Sequence, residues 1–161
     1  MSIKNYPTGE VTMPISSVLD VAQYILEKGK LDTLPYTKLE RLCYYVQAWS
    51  LAWDDEPIFP EEFYAGANGA VCHEFFHSVN NQLYISVTEN IGVSEILSDD
   101  QKASVDAVIE YYYDYSTERL GQLIRAEFPW RDARCLLEAN KNATGRITHE
   151  NMKKYYKTLL D

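Results

Sequence analysis

The stretch LPYTKLERLCYYVQAWSLAW, residues 34 to 53, decides the fold because it contains the clearest helical pattern in the chain. Its apolar residues recur at the spacing of one helix face, namely Leu39, Leu42, Cys43, Val46, Trp49 and Trp53. Thr37 and Glu40 match the T-x-x-E capping box, which predicts that the helix begins after Thr37. Asp54, Asp55 and Pro57 predict its end. We expect Leu42 and Trp49 to lie in the core.

Helical patterns on both sides of this stretch predict a mainly α fold. The first runs from Ile15 to Lys30, with Ser16 or Ser17 as its cap. Later ones run from near Ala70 to about Tyr84, from Ser98 to about Tyr113, from Thr117 to Glu127, from Trp130 to Glu138, and after Thr148. Three of these have predicted caps, namely Ser98 with Gln101 in a capping box, Ser116 and Thr148. Prolines, glycines and β-branched residues indicate short β elements around residues 58–71 and 83–93.

These patterns predict one domain preceded by a short irregular segment. An irregular lead-in at residues 1–14 precedes a single compact domain over residues 15–161, with about six or seven helices. The chain has 161 residues, of which 46% are hydrophobic, so one substantial core can form.

Charge and cysteine usage exclude some classes of function. The net charge of -9 argues against direct nucleic-acid binding. No apolar stretch is long enough to cross a membrane, and residues 1–14 do not resemble a signal peptide. Cys43, Cys72 and Cys135 form no disulfide or metal pattern. We therefore expect a cytoplasmic protein with reduced thiols, no cofactor and no membrane partner.

Tyrosine is unusually frequent, with 13 residues, and it clusters at residues 111 to 115. Consecutive aromatic residues on a helix point in different directions, so they cannot all face one core. Tyrosine is also enriched at protein interfaces. We predict that Tyr111, Tyr113 and Tyr115 contact a partner protein. Residues 86 to 118 carry eight acids against one base, a balance that would attract a basic partner.

The segment HEFFH, residues 73 to 77, matches the H-E-x-x-H pattern of zinc proteases. His73 and His77 would share a helix face, and Glu74 could polarise a metal-bound water. A catalytic zinc ion needs a third protein ligand, and His149 does not follow at the known spacing. We expect no catalytic residues, no bound metal and no enzymatic activity. A zinc hydrolase with His73 and His77 as ligands remains a minor alternative.

Four segments in fixed order resemble the Panacea domain family of SocA-like antitoxins, which also occurs among phage-associated proteins. They are DVAQYILEKG at 20–29, the stretch at 34–53, PIFPEEFYAGANGAV at 57–71 and YSTERLGQLIRAEFPWRDAR at 115–134. The residues that match the family motifs are Val21, Ala22, Tyr24, Leu39, Leu42, Tyr44, Tyr45, Gln47, Trp49, Gly69, Val71, Glu127, Pro129 and Trp130. The chain departs from the family at Ala70, where proline is usual, and at Ile124 and Arg125, where threonine and histidine are usual.

The resemblance implies a binding protein. It implies that the chain is the antitoxin of a type II toxin–antitoxin pair and neutralises a cognate toxin by direct protein–protein contact. One branch of the family also delivers its toxin to a cellular protease, so a protease is a further possible partner. An alternative is a phage or host-interaction adaptor or regulator of the same fold without a toxin. The matching residues are expected to be mainly structural.

Overall fold

The structure, a computed structural model, describes residues 15–79 and 82–160. The predicted lead-in at 1–14 therefore lies outside the described residues. The described helices are α1 (Val18–Lys28), α2 (Tyr36–Asp54), α3 (His73–Ser78), α4 (Asp99–Tyr112), α5 (Thr117–Ala126), α6 (Phe128–Ala139) and α7 (His149–Thr158). The described strands are β1 (Thr33–Pro35), β2 (Phe63–Gly66), β3 (Gly69–Val71), β4 (Tyr84–Ser86) and β5 (Arg146–Ile147). The mainly α, compact single domain is confirmed.

Helix α2 forms the centre of the molecule. It packs against α1, α4, α5 and α7, and its Tyr44, Tyr45 and Gln47 are as completely buried as its leucines. The Gln47 amide donates to the Phe59 carbonyl at 2.8 Å and accepts from the Ile58 amide at 2.9 Å. A helix that is buried on almost every side belongs to the interior of a domain. The loop after α2 is thereby tied back onto the helix that precedes it.

The start of α2 differs from the prediction. Pro35 occupies the cap position and no side chain caps the helix. The residues before α2 are held as a strand, since Leu34 pairs with Ile85 of β4 and the Tyr36 amide donates to the Leu83 carbonyl at 3.0 Å. The predicted Thr37–Glu40 capping box is therefore wrong, because strand pairing already fixes where the chain turns into the helix.

Two small antiparallel sheets frame the helices. One has two strands, β1 and β4, and the other has three in the order β3-β2-β5. The short β elements predicted around residues 58–71 and 83–93 are confirmed. The helix predicted from Ala70 to Tyr84 is wrong at both ends, because Ala70 pairs with Ala65 in a hairpin and Tyr84 lies in β4. Of the described residues in this range, only His73–Ser78 are helical.

The helix caps after residue 97 agree with the predictions. The hydroxyl groups of Ser98, Ser116 and Thr148 accept backbone amides at the starts of α4, α5 and α7. Cys43 and Cys72 are buried and Cys135 is exposed, and all three are free thiols. Within residues 15–79 and 82–160, no helix is both long and apolar enough to span a membrane.

Candidate partner-binding site

A groove of about 540 Å³ lies between the C-terminal parts of α2, α4 and α7 and the end of α5. We call it the aromatic groove and define it by the lining residues Trp49, Trp53, Tyr111, Tyr115, Glu127 and Leu159. Trp53 is 40% exposed, Tyr111 is 67% exposed and Leu159 is 49% exposed. Large apolar side chains thus meet solvent around one concave surface, as at many protein interaction sites.

Stacked rings fix one wall of the groove. The rings of Trp49 and Trp53, one turn apart on α2, stack with centroids 5.4 Å apart. The Trp49 indole Nε1–H donates to the hydroxyl oxygen of Tyr112 at 2.9 Å. Trp49 is only partly buried. The expectation that it lies in the core is therefore wrong. It packs against the core on one side and lines the groove on the other.

A carboxylate forms the floor of the groove. Glu127 separates α5 from α6 in an extended backbone conformation. The Tyr45 hydroxyl donates to its two carboxylate oxygens, at 3.1 and 3.2 Å, and the Tyr156 hydroxyl donates to Oε1 at 2.5 Å. Burial raises the pKa of Glu127 to about 7, although both tyrosine hydrogen bonds act in the opposite direction. None of the ion pairs among the described residues involves Glu127.

Of the three tyrosines predicted to contact a partner, two line the groove and one is buried. Tyr111 and Tyr115 both line the groove, with ring centroids 6.2 Å apart. Tyr113 is only 5% exposed, and its hydroxyl accepts the Leu31 amide at 3.2 Å. Tyr111 belongs to the last turn of α4, and Tyr115 lies in the connection that follows, where its ring comes to the same side as the Tyr111 ring. The prediction is therefore corrected, and the candidate contacts become Tyr111 and Tyr115 without Tyr113.

The HEFFH segment lies elsewhere on the surface. His73 and His77 are exposed on the six-residue helix α3, and the His73 ring stacks on Tyr64 at 4.5 Å. Over the described ranges, no group of three or more histidine, cysteine, aspartate or glutamate residues is placed to hold a metal ion. His73 thus packs flat on Tyr64 at the surface, whereas the His77 ring meets the neighbouring Phe76 ring edge-on.

The family-motif residues occupy mostly structural positions. Those buried on α1 and α2 are Val21, Ala22, Tyr24, Leu39, Leu42, Tyr44, Tyr45 and Gln47. Gly69 and Pro129 are also buried, whereas Val71 and Trp130 are partly buried. The Trp130 indole Nε1–H donates to the Gly66 carbonyl at 2.9 Å, which joins α6 to the β2–β3 hairpin.

The departures from the family pattern also have structural partners. Ala70 belongs to the β2–β3 hairpin and Ile124 is fully buried. Arg125 donates to the Asn68 carbonyl at 3.2 Å, next to the guanidinium of Arg41, which donates to the same oxygen at 3.1 Å. The positions usually taken by proline, threonine and histidine are thus filled without disrupting the fold.

A comparison with models of protein families matches residues 39–131 to the family described as antitoxin SocA-like, Panacea domain. The matched region runs from α2 into α6 and includes Trp49, Tyr111 and Glu127 of the aromatic groove. Neither the curated proteins nor the solved structures contain a match to the chain.

Proposed function

The chain belongs to the SocA-like Panacea family, and on that premise we propose that it is the antitoxin of a type II toxin–antitoxin pair. It neutralises a cognate toxin protein by direct binding in the cytoplasm. Neutralisation by binding needs no catalysis and no cofactor, so the proposal includes the absence of enzymatic activity. The aromatic groove is the observation that supports a binding surface at a specific place.

The composition of the groove supports a protein ligand. Tryptophan and tyrosine are the residue types most enriched among those that dominate binding energy at protein interfaces. Trp53 and Tyr111 present such side chains to solvent from a wall that is already fixed by stacking and hydrogen bonding. A pre-organised wall loses little conformational entropy on binding, which favours affinity.

The direct test is co-expression with the product of the adjacent gene. That product is expected to arrest growth alone, and the wild-type chain is expected to restore growth and to co-purify with it. Trp53→Ala and Tyr111→Ala should lose both effects. Leu136→Ala is the matched control, because Leu136 is 58% exposed on α6 and does not line the groove.

The outcomes separate the antitoxin from its alternatives. A neighbour that is harmless alone, or one that stays toxic beside the wild-type chain, would contradict the proposal. Co-purification without growth rescue would instead favour an adaptor or regulator of the same fold without a toxin.

The zinc-hydrolase alternative has its own test. Protein purified without a metal-affinity tag is expected to contain substoichiometric zinc, and His73→Ala should neutralise the toxin as well as the wild type does. One zinc ion per chain, together with loss of function in His73→Ala, would favour the hydrolase.

A further inference from the structure

Glu127 is chemically unlike the aromatic and aliphatic residues that line the aromatic groove with it. Among the described residues that line the groove, it carries the only formal charge, and its neighbours there are aromatic or aliphatic side chains. A carboxylate that has lost much of its hydration loses stability unless other groups replace the water. The two tyrosine hydroxyls replace part of that water.

The hydrogen bonds leave acceptor capacity on one carboxylate oxygen. Oε1 of Glu127 accepts from both Tyr45 and Tyr156, whereas Oε2 accepts only from Tyr45, at 3.2 Å. An ionised carboxylate offers about two acceptor sites on each oxygen. Within the part of the chain that the structure describes, no lysine or arginine supplies the missing positive charge.

We propose that the aromatic groove binds a basic side chain, arginine or lysine, that the protein partner inserts to pair with Glu127. This inference rests on the proposed function, because it names the chemistry by which the same groove recognises its partner. The cation supplies the charge that the chain leaves unpaired, and its apolar stem lies against the tryptophan and tyrosine rings.

Three physical effects favour a cation over a neutral or an anionic group in the groove. A charge pair in a poorly hydrated groove is stronger than one in open water. Tryptophan and tyrosine rings attract ammonium and guanidinium groups through their quadrupoles. Residues 86 to 118, which include α4, carry eight acids and one base, so the α4 wall of the groove attracts a basic segment and repels an acidic one.

The first experiment uses two small probes of the same shape. n-Butylguanidinium carries the charge of an arginine side chain, whereas n-butylurea is planar and neutral. Their affinities for the wild-type chain are measured by tryptophan fluorescence and by NMR titration at pH 8, where Glu127, whose pKa is about 7, is mostly ionised. Butylguanidinium is expected to bind at least about tenfold more tightly, a ratio typical of one charge-assisted hydrogen bond. Equal affinities for the two probes would overturn the proposal without any variant.

The second experiment locates the charge. Glu127→Gln keeps an oxygen that can accept the two tyrosine hydroxyls, and it is expected to bind both probes equally. Glu110→Gln removes an exposed carboxyl of α4 outside the groove lining, and it should keep the wild-type preference. A preference that survives in Glu127→Gln, or disappears in Glu110→Gln, would overturn the proposal. A melting curve of each variant shows whether it is folded.

The design also distinguishes this inference from the proposed function. If the probes show no preference while toxin neutralisation depends on Trp53, the basic occupant is wrong and the antitoxin stands. If the preference is present but no toxin is neutralised, the site stands and the antitoxin fails. A dimer of this chain that is disrupted by Glu127→Gln would identify a second copy as the occupant and overturn the partner named here.

Discussion

The ring of Tyr45 stacks on the ring of Tyr112, with centroids 4.0 Å apart and 12° between their planes. This contact joins α2 to α4 directly beneath the aromatic groove. Each of the two hydroxyls has a further partner, since Tyr45 donates to Glu127 and Tyr112 accepts from the Trp49 indole. The floor and one wall of the groove are therefore parts of one unit, in which ring stacking joins two hydrogen-bonded pairs.

The neighbouring residues Tyr44 and Tyr45 provide a matched pair of variants. Tyr45→Phe removes a donor to the partly buried carboxylate of Glu127, which should lower the free energy of unfolding by about 1.5 to 3 kcal/mol. The Tyr44 hydroxyl is fully buried and has no hydrogen-bond partner among the described residues. Tyr44→Phe should therefore leave stability unchanged or raise it by about 1 kcal/mol. Urea denaturation of both variants gives the comparison, and an equal loss in both would contradict it.

Burial of Glu40 should make stability depend on pH. This side chain is 3% exposed, and burial raises its pKa to about 7 although the Cys72 amide and Arg41 act in the opposite direction. The folded state then holds the proton more tightly than the unfolded chain, whose pKa is about 4.3. The contribution of Glu40 to the free energy of unfolding therefore falls as pH rises from about 4.3 to about 7.

Glu40→Gln isolates this effect from other titrating groups. Glu127 acts in the same direction, and His149, whose pKa is lowered mainly by burial, acts in the opposite one. Glutamine keeps an acceptor for the Cys72 amide. Relative to the wild type, the variant should gain about 1 to 3 kcal/mol between pH 5 and pH 8. A constant difference in urea denaturation at the two pH values would contradict the prediction, and Glu110→Gln is the exposed control.

Two predicted helix caps should respond differently to alanine. The Ser98 hydroxyl accepts the Gln101 amide at 3.1 Å, and the Gln101 side chain accepts the Ser98 amide at 2.8 Å. Ser98→Ala should therefore lower the free energy of unfolding by about 1 kcal/mol. Thr37 lies inside the first turn of α2 and caps nothing, so Thr37→Ala should cost less than about 0.5 kcal/mol. Equal losses in thermal or urea unfolding would contradict this difference.

Gly92 should not tolerate a side chain. A Cβ atom at this position would lie 2.2 Å from the Leu19 carbonyl oxygen and 2.7 Å from the Asp20 amide nitrogen, both in the first turn of α1. These are backbone atoms that cannot rotate away. Gly92→Ala should therefore destabilise the chain by about 1 to 3 kcal/mol through overpacking. Thermal unfolding measures the loss, and a variant that melts with the wild type would show that this loop can move away from α1.

Local patterns predicted the starts of α1, α4, α5 and α7 because each of these helices has its own side-chain cap. Ser98, Ser116 and Thr148 lie beside the amides that they accept, so the sequence alone identifies them. The start of α2 was mispredicted because it depends on β4, which lies about fifty residues further along the chain. Pairing between distant strands leaves no local signal at Thr37.

The candidate site was only partly predictable for the same reason. Tyr111 and Tyr115 belong to one cluster of tyrosines in the sequence, but nothing in the cluster distinguishes them from the buried Tyr113. The floor of the groove joins Tyr45 to Glu127 across 82 residues and Glu127 to Tyr156 across 29. A single sequence shows no relationship between such positions, although the spacing of Trp49 and Trp53 was a signal for paired aromatic side chains on one face.

The position of α7 along the chain has a consequence for protein synthesis. Tyr156, which completes the hydrogen bonding of Glu127, and Leu159, which closes one edge of the groove, are made after every other part of that site. A growing chain on the ribosome therefore contains α2, α4 and Glu127 before their last partner has been made. Binding competence is gained only once α7 has been made and has packed against α2.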